Sequence, residues 1–261
     1  MSRSPPDQNH AACSKSFDDG HSWLTDLVTQ SGRLGNASEA FNPNFCRIRA
    51  EKLGICSLEK YLEVLKRRET HGGVCSFEIT AFHLRWIFED AAQFFYHFRF
   101  DPYFWLIRED IVAQAVSLSK MSATKVTHSV SASLEDRAAA ERNFTYDANI
   151  LKKKIKHVHN MEKLTERWIA EWELAPLRMS YEGITRLTPH QMLNVIARHA
   201  SLPDVPPVDI TPRHEKLGTS RNVEFAERFR EEEAEWLAPI EAERAARLDK
   251  LDDIRSLVPD L

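Results

Sequence analysis

The sequence predicts an α/β domain, a parallel sheet flanked by helices, with a helical extension at its C-terminal end. Three observations carry this. Short β-prone runs alternate with stretches whose apolar residues recur at helical spacing, the pattern of a doubly wound sheet. One run, Tyr103 to Ile107 (YFWLI), is apolar throughout, as a strand covered on both faces requires. A chain of 261 residues, 43% of them apolar, can bury one large core, so a single domain is expected.

The elements follow in order. Residues 1–10 are polar and contain proline, so a loose start is expected. His10 to Phe17 is a weakly apolar first strand that runs into an Asp-Asp-Gly turn. From Ser22 onward, Trp23, Leu24, Leu27 and Val28 share one helical face. Strand, tight turn and helix N-terminus are therefore consecutive. Ser57 caps an amphipathic helix through Glu69, with Tyr61, Leu62 and Leu65 on one face and Gly72-Gly73 as its stop. Val74 to Ile79 is a strand, Phe82 to Phe95 one helical stretch, and YFWLI a buried strand ending at Arg108. Asp110 to Met121 is helical, and Ser122 to Ser133, rich in Ser and Thr, is a loop. Asp147 to Trp172 is a helix, Leu177 to Tyr181 the last strand, and Thr188 to Ala200 a further helix. Pro203, Pro206 and Pro207 mark a linker, and the charged stretch Glu224 to Asp253 reads as one long solvated helix. The expected organisation is a flexible segment 1–10, a domain 11–235 and a charged helix or tail 236–261.

Composition narrows the function classes. Lys+Arg 35 against Asp+Glu 39 leaves a net charge of -4, so no global basic field exists to hold nucleic acid or an anionic membrane. Any anionic ligand must be met locally. Cys13, Cys46, Cys56 and Cys75 show neither a C-x-x-C pair nor metal-ligand spacing with His, which points to reduced thiols and no metal. Neither a signal-peptide pattern nor an apolar run of membrane-spanning length is present, so a cytoplasmic location is expected.

Two places can carry chemistry. A loop between a first strand and a helix is where α/β folds bind phosphate, because free N–H groups and the helix dipole both favour an anion. Here it reads Phe17-Asp18-Asp19-Gly20-His21-Ser22-Trp23. Gly20 permits close backbone approach, and His21 and Ser22 are donors, whereas Asp18 and Asp19 each repel an anion by about 1–4 kcal/mol. Lys15 precedes this loop, but neighbouring strand residues point to opposite faces, so it is no simple replacement for a missing cation. The second place is Arg108 at the end of the buried strand, with Ser117 on the following helix. Such a pair can clamp a phosphate, and the alternative is that Arg108 pairs with Asp110 or another carboxylate. Glu39 reads either as a general base or as a solvated or capping carboxylate. His157 and His159, in a lysine-rich run, read as a solvated helix face. Trp86, Phe88, Phe94, Phe95, Tyr96 and Phe98 read as packing, or in part as the lining of a sugar or adenine pocket.

Five ordered segments place these residues in context. They are Gly20-His-Ser-Trp-Leu-Thr-Asp-Leu, Gly32 to Pro43, Trp105 to Leu118, Met179-Ser-Tyr181-Glu182, and Asn222 to Arg230. Together they resemble the sulfotransferases that act on trehalose and on bacterial lipopolysaccharide, over roughly residues 12 to 235. The resemblance implies a fold related to P-loop nucleotide kinases and 3′-phosphoadenosine 5′-phosphosulfate (PAPS) as donor. It implies a carbohydrate or glycolipid hydroxyl as acceptor and no metal. It places the 5′-phosphosulfate over Gly20, His21, Ser22 and Trp23, and the 3′-phosphate on Arg108 and Ser117. It makes Glu39 the base that takes the acceptor proton.

The chain departs from the family in two places. Where the family loop reads T-P-R-S-G-S-T, this chain has Ser16-Phe17-Asp18-Asp19-Gly20-His21-Ser22, so an arginine has become Asp18. Phe77-Glu78-Ile79 stands where many relatives carry a glycine and a lysine. Two rival readings follow: a catalytically silent homologue acting as a binding or scaffold module, and a transferase with a changed donor. The charged C-terminal segment adds a surface on which a second copy of the chain can pack.

Overall fold

A computed structural model describes residues 9–15, 19–124, 134–211 and 219–258. Five strands, β1 (Asn9–Lys15), β2 (Thr70–His71), β3 (Val74–Thr80), β4 (Tyr103–Ile107) and β5 (Leu177–Ser180), form one sheet in the order β2-β3-β1-β4-β5. β1 is parallel to both β3 and β4, β4 is parallel to β5, and β2 runs antiparallel to β3. Ser14 lies between Ile79 and Trp105, which sets the register of the three central strands. Every residue of β3 and β4 is buried, as expected of strands covered on both sides.

Helices cover both faces. α1 (Asp19–Ser31) and α10 (Pro189–His199) lie on one face, where Leu24, Leu27, Met192 and Leu193 pack with Phe104, Leu106, Leu177 and Met179. On the other, α3 (Leu58–Glu69), α4 (Ala81–Ile87), α5 (Ala91–Phe98) and α8 (Ala148–Glu171) enclose Phe77, Ile79 and Tyr103. The alternation of side chains along β4 sends Phe104 and Leu106 one way and Tyr103 the other. A further helical layer joins α6 (Ile111–Thr124), α8, α11 (Ser220–Glu232) and α12 (Ala234–Leu248) around Val112, Ile155, Phe229 and Leu237. α2 (Pro43–Leu53), α7 (Leu134–Asn143) and the short α9 (Tyr181–Ile184) complete the described elements.

Several expectations hold closely. β4 spans the predicted YFWLI, and Ser57 Oγ accepts from Lys60 N at 3.2 Å as the cap of α3. The helix expected over Thr188 to Ala200 is α10, and the structure adds a capping box of Thr188 and Gln191 at its start. Others change. The stretch Phe82 to Phe95 is two helices, because Asp90 caps a new start at α5 by accepting from Gln93 N at 2.8 Å. Gly72-Gly73 does not cap α3. Both glycines have positive φ, at 61° and 82°, and turn β2 into β3 as a hairpin.

Helix α6 continues to Thr124, into the predicted loop, and residues 125–133 lie outside the described ones, as does Asp18. The long solvated helix expected over Glu224 to Asp253 is two helices broken at Glu233, and Phe225, Phe229, Leu237, Arg244 and Arg247 are buried. Of the aromatic group, Phe88, Phe94, Phe95 and Phe98 are core, whereas Trp86 and Tyr96 are 67% and 84% exposed. Phe94 and Phe95 also line an apolar cavity of about 30 Å³ together with Tyr103 and Trp168. His159 is buried and within 3.0 Å of Glu243, so it does not lie on a solvated face.

Candidate functional site

The strand order fixes where a ligand has room. From β1 the chain leads to β3 on one side, and from β4 it leads to β5 on the other, so these adjacent parallel strands have connections departing in opposite directions. At such a switch point a crevice opens beyond the carboxyl ends of the strands. Its two described walls are the N-terminus of α1 and the β4–α6 turn.

On the first wall, α1 begins at Asp19, so Gly20, His21 and Ser22 form its first turn and contribute backbone N–H groups at a helix N-terminus. Trp23 is half-buried and packs against the core of this face. Asp19 is the first helical residue, a position where the helix dipole favours a carboxylate.

On the second wall, Arg108 follows the last residue of β4. Its guanidinium lies over the Tyr181 ring at 4.6 Å, and its Nε is 3.4 Å from Glu182 Oε1. Glu182 Oε2 accepts from Glu109 N at 3.0 Å, and Ser180 Oγ donates to Glu109 Oε1 at 2.6 Å. The exits of β4 and β5 are thus tied together. Arg108 pairs with Glu182, and Asp110 has other tasks: it caps α6 by accepting from Ala113 N at 2.9 Å and pairs with Arg230 at 2.6 Å. Ser117 is half-buried, two turns along α6.

Glu39 reaches the sheet by another route. Gly35 has φ 88°, and a Cβ there would lie 2.6 Å from Ser76 N, so glycine lets the chain run hard against β3. Ser38 then forms a parallel bridge with Phe77, its carbonyl accepting from Glu78 N at 2.9 Å. Glu39 is half-buried, and Asn42 Nδ2 donates to its Oε2 at 2.5 Å. Phe41 is fully buried and anchors the segment, while the Tyr61 hydroxyl donates to Ala40 O. Burial, with the nearby Cys46 thiol, pushes the Tyr61 hydroxyl well above its ordinary range, so it stays a donor at any physiological pH.

Gly20 to Trp23 and Arg108 thus follow the exits of the adjacent strands β1 and β4, whereas Glu39 follows a bridge on the far side of β3, short of that strand's end. Phe77-Glu78-Ile79 lies wholly inside β3, where Phe77 bridges Ser38. Tyr181, Glu182 and Glu109 at Arg108 were not marked by sequence reasoning as site residues, although Tyr181-Glu182 stands in one of the matched segments. Among the described residues no group of three or more His, Cys, Asp or Glu is placed to hold a metal, and no helix is long and apolar enough to cross a membrane.

No curated protein matches the chain. The family model of the Stf0 sulphotransferases matches residues 89–232, more than half of the sequence, a span that contains Arg108, Ser117, Tyr181 and Glu182 but neither Glu39 nor the β1–α1 turn. With the sheet, the switch-point crevice and this match together, the chain belongs to the Stf0 sulphotransferase family.

Proposed function

We propose that the protein is a PAPS-dependent sulfotransferase acting on a hydroxyl of a carbohydrate or glycolipid, on a fold of the P-loop nucleotide-kinase type. The observation that carries this is Arg108, a cation at the carboxyl end of a buried strand, beside the N-terminus of α1 across the switch point. The donor set suits a nucleotide that is anionic at both ends: α1 supplies N–H groups for one, and Arg108 with Ser117 supplies a charge-assisted clamp for the other. Tyr181 and Glu182 orient the guanidinium.

Bound PAPS would supply the sulfuryl group, with 3′-phosphoadenosine 5′-phosphate (PAP) leaving as the sulfur–oxygen bond to its 5′-phosphate breaks. Glu39 takes the proton of the acceptor hydroxyl as its oxygen attacks sulfur, worth about 10²–10⁴-fold. Glu39 stands on the edge of β3, two strand spacings from β1, or about 10 Å of backbone separation. This separation supports a base on one side of the donor's anionic end and Arg108 on the other.

A second reading, a catalytically silent homologue that has lost the nucleotide and keeps the fold as a binding or scaffold module, is favoured by Asp19 standing as the first residue of α1, where the donor's anionic end would lie. Calorimetric titration with PAP separates the two. Micromolar binding, about -8 kcal/mol, that is lost in Arg108→Ala supports the enzyme reading. Absence of binding at millimolar PAP supports the silent homologue.

A further inference from the structure

We infer that Arg244, on α12 and beyond the span matched by the family model, is a positioning residue for the Arg108 turn; this rests on the proposed role of Arg108 in nucleotide binding. Arg244 is 3% exposed. Its Nη2 donates to Arg108 O at 2.5 Å and its Nη1 to Glu109 O at 2.9 Å. The same guanidinium is bidentate on Glu162 of α8, at 2.9 Å through both Nε and Nη2.

Two consecutive carbonyls at the end of a strand, buried against a helix, need donors, and here one side chain supplies both. Arg244 and the Tyr181–Glu182 pair thus grip the same turn, Arg244 by its backbone and the pair through the Arg108 side chain and the Glu109 N–H. Stability alone does not account for the arrangement, because a buried ion pair is often matched by apolar residues of similar volume. Only a planar fork of donors can hold a carboxylate and two carbonyls at once.

Arg247 is the internal control. It is equally buried and shares Glu162, at 2.9 Å, but its other partner is Glu166 at 3.2 Å, not the turn.

The test compares Arg244→Lys with Arg247→Lys by three measurements: melting temperature, calorimetric titration with PAP, and hydrogen exchange of the amides of residues 108–113. Positioning predicts that Arg244→Lys weakens PAP binding at least tenfold, about 1.4 kcal/mol, and speeds exchange in the turn. Arg247→Lys should lower the melting temperature comparably while leaving PAP affinity within twofold. Equal losses of affinity in both variants, or native affinity and native exchange in Arg244→Lys, would overturn the inference. If Arg244→Lys does not fold, the paired change Arg244→Met with Glu162→Met removes both charges at similar volume, and native exchange in that variant overturns it likewise. If the native chain binds no PAP, the nucleotide reading falls by itself, and the exchange comparison still decides whether Arg244 holds the turn.

Discussion

Replacing Asp101 by Asn should make the protein's stability markedly less dependent on pH between about pH 4 and 7. Asp101 sits in the turn between α5 and β4, its N–H donating to Phe98 O at 3.0 Å. Its Oδ2 is buried and has no hydrogen-bond partner among the described residues. Burial pushes the carboxyl from 3.8 to about 7, with Lys66 only partly opposing.

The folded value lies above the unfolded one, so the folded chain holds this proton more tightly. The associated stability is complete below pH 3.8 and is lost as the pH rises towards 7. At 1.36 kcal/mol per pH unit the ceiling is about 4 kcal/mol, and partial solvent access reduces the expected loss to about 2–3 kcal/mol. Asn carries no titrating proton, though its amide leaves an unsatisfied group that costs about 1–3 kcal/mol at every pH. The readout is therefore a slope. Urea unfolding at pH 4.5 and 7.5 should show the stability of Asp101→Asn relative to the native chain rising by about 2 kcal/mol across that interval. A difference between the two proteins that stays constant with pH would refute the account of a buried, destabilised carboxylate.

Three further outcomes are expected. Phe41→Ala should cost about 3–5 kcal/mol in urea unfolding, because the ring fills the space among Phe77, Phe88, Phe94 and Phe98 at 4.9 to 6.3 Å between centroids; a loss below about 1 kcal/mol would mean that the site collapses around the gap. Gly35→Ala combines a left-handed backbone with a Cβ 2.6 Å from Ser76 N, and should cost about 2–4 kcal/mol by the same assay; near-native stability would show that the Gly35 segment yields easily. Glu39→Gln should lower turnover about 10²–10⁴-fold while PAP affinity by calorimetry stays native, and an equal fall in both would remove Glu39 as the base.

Much of the fold was legible because its signals are local. An unbroken apolar run made β4, and Ser57 announced the helix it caps. The failures are equally physical. Glu224 to Asp253 looked solvated because it is dense in charge, yet Arg244 and Arg247 are buried by virtue of Glu162, a carboxylate some eighty residues away. Trp86 and Tyr96 looked like core because aromatic rings usually are, but they fall on the outer faces of α4 and α5. At the site, an arginine closing a buried strand was visible in the sequence, and its resemblance to a phosphate clamp could be stated. That Glu182 rather than Asp110 would be its carboxylate partner could not, since both are equally plausible until β4 and β5 are set side by side.

The sequence by itself determined the α/β class, the order of most elements and the residues available for chemistry, because propensity, capping and periodicity act within a window of some ten residues. The tertiary structure alone decided that β1 lies between β3 and β4, which opens the crevice, and that Arg108 is flanked by Tyr181 and Glu182. It also decided that a helix near the end of the chain would reach back to hold that turn. Those choices depend on which distant surfaces bury each other's apolar area and satisfy each other's polar groups, information that no local stretch of the chain contains.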